Sequence, residues 1–510
     1  MGATVQSIIA DGSGGTIVDI ECHLSNNLPN IVIVGFANKA VDESRERIRG
    51  AFATSHIMLP RKRITVNLAP ADIPKADSGF DLAIAVVILL AGGEVMSEIG
   101  KHQAFIGELG LDGSTRAVRG IIGKILTGRA KGIDTFYIPA ANLRQAQLVP
   151  KVNLIPIVSL KQLYDHFNTG VPLAPVKTGS GKYKSLSTST AKTGVQLSEV
   201  VGQAQAKRAL EIAAAGGHNI LFTGPPGTGK SMLAKALKSL LPPLDREEIL
   251  EVTHLHSLAG HDYEQLVTER PFRTPHHSAS HAAVIGGGSR LRPGEISLAH
   301  RGVLFFDELP EFQRETLEAL RQPLEDRVIS VARAKETADY PASFILVATA
   351  NPCPCGYHGT SGNAACHCLP YEIIRYSHRL SGPILDRIDL CCNVHEVQHD
   401  KLLVQVASRE ADETVRRRIL QARKLQSRRY GKTGRLNANM TNRDIKAFAN
   451  LDEASSRLIN SAASRLRLSA RAYMRTIKVA RTIADLETAA FITPAHISEA
   501  LAYRSQTNKH

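Results

Sequence analysis

The sequence predicts an α/β protein: a mixed α+β segment first, a central αβα unit built on parallel strands, and a helical C-terminal part. Three observations predict it. A short apolar strand, Asn219–Phe222, runs directly into a glycine-rich loop and a helix. A second apolar run, Val303–Phe306, ends in two carboxylates, Asp307 and Glu308. Beyond residue 397 the chain reads as Arg- and Ala-rich helix.

The bulk numbers frame these elements. The 510 residues suit two to four domains. Hydrophobic residues make up 43%, but aromatics only 5% and Trp is absent, so the cores rest on Ile, Leu, Val and Ala. A net charge of +14 favours an anionic partner such as nucleic acid or acidic lipid, the alternative being a solvated basic surface. The N-terminal MGATVQSIIADGSGG has no basic n-region or long apolar stretch, so no targeting segment is expected. The longest apolar run, Leu82–Gly93, is too short for a bilayer, which takes about 20 residues, and reads as a buried helix. Seven Cys, an odd count without a secretory signal, argue against a disulfide framework and for a reducing cytoplasm. No repeat of solenoid period is present.

Residues 1–169 alternate β-like runs (Ile31–Val34, Ile64–Leu68, Thr135–Ile138) with helical stretches. Residues 170–196 are rich in Gly, Ser, Thr, Lys and Pro and read as a flexible basic linker. Residues 197–397 form the central unit, and 398–510 a helical lid.

The central unit carries the chemistry. Gly224, Pro225, Pro226, Gly227, Thr228, Gly229, Lys230 and Ser231, followed by Met232, spell G-x4-G-K-S between a strand and a helix, the context a P-loop needs. Backbone N–H groups and a helix N-terminus would close on the phosphates of ATP. Lys230 would reach the β- and γ-phosphates and Ser231 would ligate Mg²⁺. At the end of the second strand, Asp307 is placed to hold the Mg²⁺ shell and Glu308 to polarise water. A third strand, Phe344–Ala348, leads to Asn351, which would hold water or γ-phosphate, or else is a turn Asn. Order and spacing make Arg387 (SGPILDRID) a candidate finger reaching a neighbouring subunit's γ-phosphate. Arg471, opening a long helix, would touch phosphates of its own subunit; a surface Arg is the default for both.

These motifs resemble the magnesium-chelatase-like AAA+ proteins, and within them the ComM/YifB family. The carriers are VGQAQAKRALEIAAAGGHNILFTGPPGTGKS, RPFRTPHHSASHAAVIGGG, RPGEISLAHRGVLFFDELPEF, ATANPCPCGYHG, RLSGPILDRIDL and LSARAYMRTIKVARTIADL, spread over essentially the whole chain. The resemblance implies an ATPase ring, a hexamer. It supports Asn351 as sensor 1, Arg387 as the finger and Arg471 as sensor 2. It also implies DNA as partner, in a helicase that promotes branch migration when transforming DNA recombines. The N-terminal segment resembles the protease domain of Lon-type peptidases through Gly107–Gly113, Gly120, Ile138-Pro139 and Pro74–Gly79. That domain needs a Ser nucleophile and a Lys base. In register they fall on Gly79 and Ile122, with Ser78 and Lys124 displaced, so the fold is expected without the peptidase, as a scaffold or a DNA-facing collar.

Two pore-loop candidates, the first a glycine-rich insert and the second a hairpin, would meet DNA phosphates without reading sequence. One is Ile285–Arg292, with Arg290 and Arg292. The other has arms Val328–Val331 and Ala342–Leu346 around Arg333 and Lys335. The alternative is that both only contact subunits. The basic run Arg416–Arg429 reads as a solvated helix face, the alternative being a contact with nucleic acid. Cys353, Cys355, Cys366 and Cys368 are spaced to close a structural Zn²⁺ site, with His358 and His367 as substitutes; free thiols are the alternative. His276, His277 and His281 read as polar packing before a metal site. A chelatase motor or a protein-remodelling ATPase stands as the rival to the DNA motor.

Overall fold

The computed structural model describes residues 3–504 except 12–13, 36–38, 72–77, 96–98, 101, 171, 179–193, 261–264, 289–290, 334–335, 360–364, 380–381, 398–408 and 432–433.

The N-terminal strands are β1 (Ala3–Asp11), β2 (Gly14–Ser25), β3 (Asn30–Val34), β4 (Arg63–Ala69), β5 (Gln103–Phe105), β6 (Thr135–Pro139), β7 (Asn153–Ile157) and β8 (Val176–Lys177). They form one mixed sheet in the order β8-β7-β6-β5-β1-β2-β4-β3. Alternation along β1 sends Val5 to one face and Ile8 to the other, and each face has its own core. Helix α1 (Lys39–Thr54) and helix α2 (Asp81–Gly92) cover the first face; α2 is apolar all round and buried from Asp81 to Leu89. Helix α3 (Ile121–Ala130) covers the second. Strand β8 lies inside the stretch expected to be linker. It pairs antiparallel with β7, and Thr178 Oγ1 accepts from the Val152 amide at 3.0 Å. An open sheet edge recruits even a polar segment, because its N–H and C=O groups need partners. Residues 179–193 of that stretch lie outside the described residues.

The central sheet is five-stranded and wholly parallel: β9 (Ile220–Thr223), β10 (Phe272–Arg273), β11 (Val303–Phe306), β12 (Ile345–Ala350) and β13 (Leu390–Asn393), in the order β10-β11-β12-β9-β13. The first strand in sequence thus sits between the fourth and fifth. Ligands of open parallel sheets bind at the carboxyl ends of strands where the order reverses. Helix α4 (Ala204–Gly216) precedes β9, α5 (Lys230–Leu240) follows it, and α6 (Arg246–Ala259) comes next. A short helix α7 (Arg321–Asp326) leads into the hairpin before β12.

The C-terminal helices are not a separate body. Helix α8 (Arg409–Tyr430) and helix α9 (Ala470–Leu486) share one core with the sheet, in which Leu210, Phe222 and Phe305 pack with Ile419 and Ile483. This corrects the solvated reading for part of the basic run. Arg418 donates to Glu211 at 2.6 Å, Arg423 to the Ala214 carbonyl at 2.7 Å and Arg429 to Asp485 at 2.6 Å. Arg417, Lys424 and Arg428 do face solvent.

The N-terminal sheet docks on α6. The Gly120 amide donates to Ser257 Oγ at 2.7 Å, and Arg246 to the Leu148 carbonyl at 3.2 Å. Among the described residues no helix is long and apolar enough to cross a membrane.

Candidate nucleotide site

The loop between β9 and α5 is shaped by its glycines. Gly224 passes so close to the Val394 carbonyl that a Cβ would lie 2.2 Å from its oxygen. Gly229 caps α5 at φ +87°, a conformation open to glycine and costly for other residues. Thr228 Oγ1 closes the turn on the Pro225 carbonyl at 2.9 Å, while Pro226 and Gly227 stay exposed. Met232, one turn into α5, packs against the core.

Lys230 turns back into this loop. Its Nζ donates to the Gly224 and Pro225 carbonyls at 2.7 Å each and to Asn351 Oδ1 at 3.1 Å. Burial lowers its pKa from the ordinary value, and Asp307 and Glu308 oppose that. Ser231 Oγ donates to Asp307 at 3.1 Å. The parallel register of β11 and β12, Phe306 opposite Ala348, brings Thr349 alongside. Thr349 Oγ1 donates to Asp307 Oδ1 at 2.6 Å and accepts from the Glu308 amide at 2.8 Å. Glu308 itself sits at φ +54°, a region non-glycine residues rarely enter and one that gathers at functional sites. Lys230, Ser231, Asp307, Glu308 and Asn351 therefore converge on the carboxyl ends of three adjacent parallel strands. The set fits a magnesium nucleotide: an ammonium and a helix N-terminus for phosphates, a hydroxyl and a carboxylate for a hard cation.

Arg387 and Arg471 lie elsewhere. Arg387 is buried and donates through Nη2 to Glu325 Oε2, at the end of α7. Arg471 is exposed and donates to Glu325 Oε1 at 3.1 Å. Arg471, expected to touch the phosphates of its own subunit, shares Glu325 with Arg387 among the described contacts. The reason is the lid's docking. Arg475, one helical turn along, is held by buried Asp389 at 2.7 Å, and Asp389 also accepts from the Asn219 amide at the start of β9. Burial favours the neutral acid, but Arg475 and His218 outweigh it and keep Asp389 well below the ordinary carboxylate range.

The two pore-loop candidates stand side by side, and both are hairpins. Gly286–Gly287 pairs with Arg292–Pro293, and Val328–Arg333 with Glu336–Pro341. The second arm is thus Glu336–Pro341, not Ala342–Leu346, because residues from 345 onward enter β12. Tyr340 donates to the Leu291 carbonyl, and Gly286 abuts Val331. Arg292 is exposed. Arg290, Lys335 and the side chain of Arg333 lie outside the described residues.

The thiols of Cys353, Cys355, Cys366 and Cys368 all lie within 4.8 Å of one another. Amides of Tyr357 and His367 donate to the Cys355 sulfur and hold that thiol down to about 6. Among the described residues, no other group of His, Cys, Asp or Glu is gathered like a metal site. The rings of His276 and His277 lie 4.1 Å apart, tilted to each other, with His277 edge-on to Phe312. In the N-terminal sheet Ser78 donates to Glu108, and Lys124 is buried on α3; no described hydrogen bond joins the two.

The sequence is similar to those of known proteins over nearly the whole chain. Competence protein ComM of Haemophilus influenzae is 42% identical over 509 residues, covering 99% of this chain and 97% of that one. The chain belongs to the ComM/YifB family of magnesium-chelatase-like AAA+ proteins. YifB of Salmonella typhimurium is 40% identical over 505 residues, 99% of this chain and 97% of that one. Residues 196–402 match the family described as magnesium chelatase, subunit ChlI; residues 20–142 match subunit ChlI of Mg-chelatase; residues 409–504 match its C-terminal part. The magnesium-chelatase 38 kDa subunit of Cereibacter sphaeroides is 28% identical over 173 residues, 30% of this chain and 52% of that one. Family membership makes the P-loop unit an ATP-binding AAA+ module.

Sequence reasoning missed Thr349, Glu325 and Asp389. Thr349 stands two residues before Asn351, but its contact with Asp307 depends on strand register. Glu325 and Asp389 are single carboxylates in helix and turn, with no local signature.

Proposed function

We propose that this protein is a ring-forming AAA+ ATPase, a hexamer, that works as a DNA motor and promotes branch migration in homologous recombination or natural transformation. Lys230 and the loop amides bind the phosphates of ATP. Ser231 and Asp307 hold Mg²⁺, which neutralises charge on the phosphates when bound. Glu308 polarises the attacking water, positioned by Thr349, and Asn351 orients water or γ-phosphate between the two motifs. Arg387 and Arg471 are presented together by Glu325 and act on the site of a neighbouring subunit. Four thiolates leave a metal no open position, so the cysteine cluster takes no part in the chemistry.

On this reading residues 197–397 are the ATPase core and 398–510 the lid. Residues 1–169 form a Lon-like domain without a peptidase dyad, since Ser78 pairs with Glu108, and 170–196 link it to the core. The protein is cytoplasmic. The observation that carries the DNA part is the pair of adjoining hairpins, Gly286–Pro293 and Val328–Pro341, with Arg292 exposed on the first; the sequence adds Arg290, Arg333 and Lys335 to the same two segments. The net charge of +14 and the relative named for competence point the same way.

The test is the ATPase rate with and without single-stranded and forked DNA, with Glu308→Gln as blank. Strong stimulation that Lys335→Ala and Arg292→Ala remove is the expected result. Glu308-dependent turnover indifferent to DNA would sink the motor reading and favour a chelatase-like or protein-remodelling role.

A further inference from the structure

We propose that Cys353, Cys355, Cys366 and Cys368 hold a structural zinc ion, and that this ion braces the P-loop. The sulfurs are already arranged for it. Cys353 and Cys355 are 3.3 Å apart, Cys355 and Cys366 3.6 Å, and Cys353 and Cys366 3.7 Å. Zinc–sulfur bonds of about 2.3 Å in a tetrahedron put sulfurs roughly 3.8 Å apart. All four cysteines are free, and a disulfide would need about 2.05 Å.

The second observation is the backbone around them. Every sulfur receives an amide N–H. His358 donates to Cys353 at 3.3 Å and Cys355 to Cys368 at 3.4 Å. Tyr357 and His367 donate to Cys355, and Cys368 to Cys366. Four thiolates around a divalent ion carry net negative charge, and donors aimed at the sulfurs offset it. Neutral thiols need no such ring of donors. His358 and His367 serve through their amides, so the ligand set is four sulfurs. A tetrahedral sulfur set selects zinc or iron, and zinc needs no redox partner to stay in place.

The brace follows from what the loop touches. Gly356, next to Cys355, lies so close to Pro226 of the P-loop that a Cβ there would be 2.6 Å from Pro226 Cδ. Gly356 is also at φ +88°, and its amide donates to the Cys353 carbonyl at 3.0 Å. At the loop's other end, Asn351 takes the Lys230 ammonium at 3.1 Å. The cluster therefore backs the phosphate loop and the residue behind it. This coupling rests on reading Gly224–Ser231 as the nucleotide site; the metal assignment does not.

The experiment uses the full chain purified without chelator. Elemental mass spectrometry should find about one zinc per chain, the stoichiometry of four thiolates closing one tetrahedral site. Cobalt substituted for it should show the visible bands of tetrahedral thiolate coordination. Cys366→Ser/Cys368→Ser should lose both. Chelated protein with unchanged far-UV circular dichroism should bind a fluorescent ATP analogue about tenfold more weakly, a usual effect of disturbing a supporting shell. Gly356→Ala, which keeps all four ligands, should retain zinc yet weaken nucleotide binding. Absence of metal and of cobalt bands overturns the site, and iron overturns the zinc assignment. Zinc present with nucleotide affinity unchanged in both chelated protein and Gly356→Ala overturns the brace. A zinc-loaded chain that binds no nucleotide fails the P-loop reading and leaves the zinc site supported by its metal content.

Discussion

Arg387 and Arg471 take opposite oxygens of one carboxylate: Arg387 pairs with Glu325 Oε2, and Arg471 with Glu325 Oε1 at 3.1 Å. Two guanidiniums expected on different subunits' phosphates are thus presented as a pair. The consequence is testable by mixing. Arg387→Ala should lower ATPase turnover by about 10³, the usual scale of an arginine finger, with nucleotide binding kept. Mixed with Glu308→Gln subunits, it should regain activity, since some interfaces then carry both groups intact. Arg471→Ala should be rescued the same way. An Arg471→Ala mixture that stays inactive would return that residue to its own subunit's site.

Thr349→Val keeps the shape of a fully buried side chain but removes the hydroxyl that joins Asp307 to the Glu308 amide. The residues left unpaired should shift by a fraction of an ångström. We expect kcat to fall by about ten- to a hundredfold while KM changes little. Steady-state kinetics with Thr349→Ser as the restoring variant decides it; equal losses in Val and Ser would remove the positioning role.

Asp389 is the buried anchor of the lid. Asp389→Ala leaves Arg475 without its carboxylate and the Asn219 amide without an acceptor. Breaking a buried pair from one side costs about 3–5 kcal/mol. A marked fall in melting temperature, with Arg475→Leu/Asp389→Leu recovering much of it, is the expected pattern. A single variant as stable as the parent would show that the lid is held by its apolar core alone.

Burial works to raise Glu251, but hydrogen bonds from His300 and Arg301 prevail and hold its carboxyl at about 2. Unfolded, the group titrates near about 4.3. The folded state therefore binds fewer protons, so this contribution is whole above that value and is lost as pH falls toward 2. Melting temperature should drop across this window, and Glu251→Gln should flatten the drop. Parallel curves for the two proteins would exclude Glu251 as the source.

The P-loop was legible because its requirement is local: glycines, a lysine and a hydroxyl in consecutive positions between a strand and a helix. The same holds for Asp307 and Glu308 at the end of an apolar strand, and for four cysteines within one short segment. The linker was legible only in part, because composition cannot reveal that a sheet edge needs two more residues, and Val176–Lys177 supply them.

The order of the chain alone therefore determined the nucleotide loop, the acidic strand end, the thiol cluster and the α/β class, all set by residues near each other in sequence. Tertiary structure decided the rest. It placed Thr349 beside Asp307 through strand register, joined Arg387 to Arg471 through Glu325, and paired Arg418 and Arg423 of α8 with α4. The physical reason is common to all three. A lone Thr, Glu or Arg has no periodicity or spacing that announces its partner, and its role follows from which distant element packing brings within hydrogen-bond reach.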